Sequence, residues 1–140
     1  MSQGLLAQEG YNLMGAAFEV YNELGSGLLE AIYQESLEIE LNLKNIPFKS
    51  KQELAVYYKG RELQCRYVPD LFVYEKIVVE LKAAQQLAPE HAAQILNYMY
   101  ISGTPVGYLI NFGKKDELEW KRYILDGTRG NRTTAGDFNH

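Results

Sequence analysis

Cysteine is almost missing from this 140-residue chain. Cys65 stands alone, so no internal disulfide can form, and a single thiol fits a reducing compartment such as the cytoplasm. Long apolar runs are missing as well. Stretches such as Ile77-Val78-Val79 fall far short of the roughly 20 residues that a membrane-crossing helix needs, so no membrane partner is expected. The opening Met1-Ser2-Gln3-Gly4 has neither a basic n-region nor an apolar h-region, and secretion is not signalled. Positive charge is scarce: 14 Lys and Arg face 18 Asp and Glu, a net charge of -4 that gives no global attraction for nucleic acid. Basic residues do gather locally, at Lys44, Lys49 and Lys51, at Lys59, Arg61 and Arg66, and at Lys114, Lys115, Lys121 and Arg122. Ordinary solvated charge explains any one of these groups.

Hydrophobic residues make up 46% of the chain and charged residues 23%, enough apolar surface to offset the ordering entropy of one folded domain. That domain is expected over residues 1–125. Beyond Leu125, the stretch Gly127-Thr128-Arg129-Gly130-Asn131-Arg132 and its continuation carry no periodicity and almost no apolar residue, so residues 126–140 read as a flexible tail.

Apolar spacing of three and four predicts a helix from Leu6 to Leu24, through Leu13, Ala17 and Val20. Gly25-Ser26-Gly27 interrupts it, and a second helix is expected from about Leu28 to Leu43, with Glu30, Tyr33, Leu37 and Leu41 on one face. The period then becomes strand-like. Leu54 to Tyr58 reads as one strand, Leu63 to Val73 as a second and Ile77 to Lys82 as a third, forming a meander. Pro89 suits the first turn of a third helix that Gly103 and Pro105 close, and strands follow at Val106 to Asn111 and Leu118 to Leu125. This order gives an α/β (α+β) fold, a mixed sheet flanked by helices.

The third strand carries the chemical signal. Ile77-Val78-Val79-Glu80-Leu81-Lys82 is apolar except for one acid and one lysine, two residues apart and hence on one sheet face. On the preceding strand Asp70 is a lone acid among Tyr67-Val68-Pro69 and Leu71-Phe72-Val73. Buried charges need partners. Two carboxylates on adjacent strands form a hard-oxygen site for Mg²⁺ or Mn²⁺, beside which Lys82 would assist an attacking water. An internal salt-bridge network is the competing reading, and two acids against one lysine weigh against it. No P-loop, dinucleotide glycine fingerprint or zinc-ligand cluster is present, so no other cofactor is implied. His91 reads as a packing or capping residue.

Pro69-Asp70, nine intervening residues and Glu80-Leu81-Lys82 together resemble the PD-(D/E)xK nuclease signature. Upstream, Gly27-x-x-Glu30-x-x-Tyr33 resembles the motif of the GxxExxY proteins, a group within that superfamily. Downstream, Gln94-x-x-x-Tyr98 is similar to the QxxxY motif of RecB-like nucleases. The resemblance implies a restriction-endonuclease-like fold and a nucleic acid substrate, DNA or RNA. By it, Asp70, Glu80 and the Leu81 carbonyl would hold the metal, Lys82 would be the catalytic lysine, and Glu30 an additional catalytic acid. Gln94 and Tyr98 would position substrate or brace the lysine. Tyr33, grouped with them as a positioning residue, would support the site through packing and its hydroxyl, since Leu37 and Leu41 continue its face into the core. A non-catalytic binding or assembly module that keeps the fold is the alternative, favoured by the acidic net charge. At this size either version is expected to draw on a second copy or a protein partner to build a substrate groove.

Register decides whether the acids meet. A two-residue turn at Glu75-Lys76 sends Asp70 and Glu80 to opposite faces, whereas a three-residue connection, Tyr74-Glu75-Lys76, puts Asp70 across from Glu80. A metal site requires the second, or a bulge that restores its parity.

Overall fold

The structure, a computed structural model, describes residues 4–125 and 133–137. Three helices, α1 (Ala7–Leu24), α2 (Glu30–Leu43) and α3 (Pro89–Ser102), accompany eight strands. These are β1 (Phe48–Ser50), β2 (Leu54–Tyr58), β3 (Arg61–Tyr67), β4 (Leu71–Val73), β5 (Ile77–Lys82), β6 (Val106–Asn111), β7 (Glu119–Ile124) and β8 (Thr133–Asp137). Six strands form one mixed sheet in the order β1-β4-β5-β6-β7-β8, and β2 with β3 forms a separate two-stranded ribbon. The expected α+β sheet with flanking helices is therefore present.

Alternation along β5 divides the core. Ile77, Val79 and Leu81 join the α1–α2 side with Leu13, Ala17, Tyr33, Leu37 and Leu41. Val78 enters the opposite layer, where Ile95 and Met99 of α3 meet Val56 and Tyr67 of the ribbon. Among the described residues only the pair β5 and β6 is parallel, and α3 supplies the crossover between them. Gly107 lets α3 lie close on β6, because a Cβ there would come 2.6 Å from the Met99 sulfur.

Two expectations change. The stretch Leu63 to Val73 is not one strand: β3 ends at Tyr67 and β4 begins at Leu71, in different sheets. Pro69 lacks a donor for a ladder and sits in this break, so the three-stranded meander is a ribbon followed by a hairpin. The short strand β1, which the sequence did not reveal, pairs with β4. Past residue 125, Thr133–Asp137 pairs with β7 as β8, so the expected tail contains a strand. The rest of that tail, residues 126–132 and 138–140, lies outside the described residues.

Candidate active site

The connection between β4 and β5 has three residues. Val73 pairs with Ile77, Phe72 with Val78 and Leu71 with Val79, which carries Asp70 to the position across from Glu80. Tyr74 and Glu75 both take positive φ (56° and 58°), and the Lys76 N–H closes the turn on the Val73 carbonyl at 3.2 Å. Asp70, Glu80 and Lys82 therefore share the sheet face that β5 turns toward α3 and the ribbon.

Asp70 is 9% exposed, and both its carboxylate oxygens are engaged. Oδ2 accepts the Leu81 N–H at 2.7 Å, just where β4 has ended and β5 has lost a strand partner on that side. Oδ1 accepts Lys51 Nζ at 2.6 Å. Glu80 Oε2 accepts the Tyr67 hydroxyl at 2.6 Å, and the Tyr67 ring stacks on Tyr98 of α3 with centroids 4.3 Å apart. Burial pushes the Glu80 carboxyl up to about 7; the Tyr67 hydrogen bond and Lys82 pull it down, while the charge of Asp70 raises it. Burial and the neighbouring Glu80 likewise raise the Tyr67 phenol.

Glu30 is the first residue of α2 and is exposed at the helix start, where its carboxyl feels the charges of the acid cluster. Its carboxyl is raised by burial and by the charge of Asp70, against the opposing pull of Lys82, Lys51 and His91. The GxxExxY pattern has a local physical basis here. Gly27 has φ 101°, a conformation that favours glycine, within the turn before α2. The Tyr33 hydroxyl donates to the Gly25 carbonyl at 2.6 Å and accepts the Leu28 N–H at 3.2 Å, which fixes that turn and with it the start of the helix.

Tyr33 itself is fully buried and stacked on Phe112, so it cannot touch a substrate. Its hydroxyl holds the segment that carries Glu30, a supporting part played through packing rather than by direct contact. Gln94 and Tyr98 lie together along a groove of about 580 Å³ on the outer face of α3. Tyr98 reaches the acids through Tyr67, while Gln94 is exposed. His91 serves as a cap: its Nδ1 accepts the Ala88 N–H at 3.0 Å, the part that Glu or Gln plays in a capping box.

Three participants escaped the sequence reading. Lys51 pairs with Asp70 from the end of β1, Tyr67 holds Glu80, and Gln34 donates to the Asp70 backbone carbonyl at 2.8 Å. Gln34 lies one turn beyond Glu30 and Lys51 was visible as part of a basic group, but neither spacing carries a motif. Beyond Lys82, buried Asn111 grips Ala84 through both its N–H and its carbonyl, at 2.9 Å each, and so fixes the chain where it leaves β5.

Among the described residues no group of three or more His, Cys, Asp or Glu side chains is arranged to hold a metal ion. The donor chemistry nevertheless suits a hard divalent cation. Two adjacent carboxylates, one of them raised by burial and by the charge of the other, sit beside a strand edge whose backbone N–H already turns toward them. The larger cavity, about 800 Å³ between α1 and the β6–β7 region, shares no residue with this cluster. Among the described residues no helix is long and apolar enough to cross a membrane.

A family model described as the PD-(D/E)XK nuclease superfamily matches residues 7–123. The crystal structure of SSO0001 has a similar fold, with a TM-score of 0.51 and 13% identity over 86% of this chain and 77% of that one. No curated protein matches the chain.

Proposed function

The chain belongs to the PD-(D/E)XK nuclease superfamily, and from that membership we propose that it hydrolyses phosphodiester bonds of DNA or RNA with Mg²⁺ or Mn²⁺. The register carries the reading: a three-residue connection sets Asp70 across from Glu80 with Lys82 on their face. The narrower likeness to the GxxExxY proteins rests on Gly27, Glu30 and Tyr33.

In this mechanism Asp70 and Glu80 would hold the cation, with the Leu81 carbonyl on the same strand edge as the N–H that Asp70 accepts. A divalent ion bound there supplies an activated water and neutralises charge developing on the phosphate. Lys82 would orient the attacking water and stabilise the same charge with its ammonium. Glu30 adds a third acid to the cluster, Tyr67 orients Glu80, and Tyr98 with Gln94 lines the approach along α3. The lone, exposed Cys65 fits a cytoplasmic setting, and a second copy or a partner protein would widen the substrate groove.

Cleavage of end-labelled single- and double-stranded DNA and RNA, with Mg²⁺ or with EDTA, tests the proposal. Metal-dependent cleavage that Lys82→Ala abolishes without loss of fold is expected; retention of most activity by that variant would sink it. The net charge of -4 favours a second reading, a binding module that keeps the fold without catalysis. In that case nucleic acid or protein is bound, and no substrate is cut at any metal concentration.

A further inference from the structure

Asp70 stands between two neighbours drawn from the strands on either side. Ser50 pairs with Leu71 at the end of β1, so the next residue, Lys51, comes alongside Asp70, while Glu80 faces Asp70 from β5. The Lys51 N–H donates to the Asp70 carbonyl at 3.2 Å, and φ of 54° at Lys51 turns the chain there. The backbone thus delivers the ammonium to Oδ1, the carboxylate oxygen that the Leu81 N–H leaves over.

We propose that Lys51 is the resident cation of this site: its ammonium occupies the Asp70 oxygen that a divalent ion would take, and metal binding displaces it toward solvent. The inference rests on the reading of Asp70 and Glu80 as metal ligands. Three observations support it. The ammonium sits 2.6 Å from Asp70 Oδ1, in contact with one of the two proposed ligands. The two partners differ in exposure, the Lys51 side chain being 57% exposed and that of Asp70 12%. The acids are held independently of the lysine, Asp70 by Leu81 and Glu80 by Tyr67. An exchange therefore moves one flexible stem and leaves the ligands in place. A divalent ion brings twice the charge to the same oxygen, against an ion pair weakened by solvent.

The test is calorimetric titration of the full chain with Mn²⁺ and Mg²⁺, together with lysine acylation followed by mass spectrometry. Lys51→Met is expected to bind Mn²⁺ about fivefold tighter, the upper end of what an exposed ion pair withholds, and to melt lower without metal. In the parent protein, saturating Mg²⁺ should raise the acylation rate of Lys51 severalfold while Lys49 and Lys59 stay unchanged. Unchanged or weaker Mn²⁺ binding by Lys51→Met overturns the proposal, as does a Lys51 reactivity indifferent to Mg²⁺. If Lys51→Met does not fold, the acylation of the parent protein decides alone. Asp70→Asn separates the two levels. If it binds Mn²⁺ like the parent, or if neither the parent nor Lys51→Met binds the ion, the metal-ligand reading has failed and the Lys51 proposal with it. If Asp70→Asn loses the ion and Lys51→Met gains nothing, only the Lys51 proposal has failed.

Discussion

The Tyr67 hydroxyl donates to Glu80 Oε2 at 2.6 Å, from the last residue of the ribbon to the strand that carries the lysine. This bond favours the carboxylate form of Glu80, against burial and the charge of Asp70. Tyr67→Phe removes it, so the Glu80 carboxyl moves further up from about 7. A hydrogen bond to a charged group is worth roughly 1.5 kcal/mol or more, so the pH midpoint of Mn²⁺ uptake should rise by about one unit. Titration calorimetry across a pH series checks this, and an unmoved midpoint removes Glu80 from the metal reading.

The same carboxyl makes the metal-free protein sensitive to pH. Its folded value of about 7 lies above the ordinary value of 4.5, so the folded state binds the proton more tightly than the unfolded chain. Stability from this group is full below about pH 4.5 and is lost as pH rises through about 7. The loss amounts to roughly 2 to 3 kcal/mol. Denaturant melts in EDTA at pH 5 and pH 8 should show it, and Glu80→Gln should flatten that part of the profile. A parent and variant with parallel pH profiles would contradict the assignment.

Asn111 is fully buried and bonds to Ala84, Gly113 and Glu119. Asn111→Ala leaves several of these groups without partners, at a cost of roughly 2 to 4 kcal/mol. It should also loosen the segment after Lys82. Amide hydrogen exchange at Ala83 and Ala84 is expected to accelerate, and slow exchange there in the variant would refute the role.

Tyr33→Phe keeps the stack on Phe112 and deletes the two hydroxyl bonds to the α1–α2 turn. A stability loss of about 1 to 2 kcal/mol is expected by chemical denaturation. If Glu30 assists catalysis, this variant should lower turnover without direct contact to substrate. Wild-type stability would show that the turn holds itself.

Much of this arrangement was legible in the sequence, because a strand interior advertises misplaced charge. Glu80 and Lys82 stand out in an apolar run; the sequence left two registers open at Tyr74-Glu75-Lys76, and the three-residue connection is the one that brings Asp70 across from Glu80. The helices were legible from periodicity and β6 as a buried strand from its continuous apolar run, whereas its parallel pairing with β5 is a tertiary feature. What escaped was set by tertiary contact. Pro69 signalled a break, but nothing local shows that β3 and β4 belong to different sheets. Lys51 looks like any surface lysine until β1 pairs with β4, and Tyr67 like any strand aromatic until its hydroxyl meets Glu80. For Tyr33 the face shared with Leu37 and Leu41 pointed to packing, and the ring is buried with its hydroxyl on the α1–α2 turn.

The break at Val68-Pro69-Asp70 also sets how motion travels through the molecule. These three residues lead from the ribbon into β4, as Lys51-Gln52-Glu53 leads from β1 into the ribbon; at one end Tyr67 grips Glu80, and at the other Asp70 grips the Leu81 N–H. The strand β3 is exposed along Arg61 to Arg66, so a load on that surface reaches the acid pair through the Tyr67 hydroxyl and the short break that follows it.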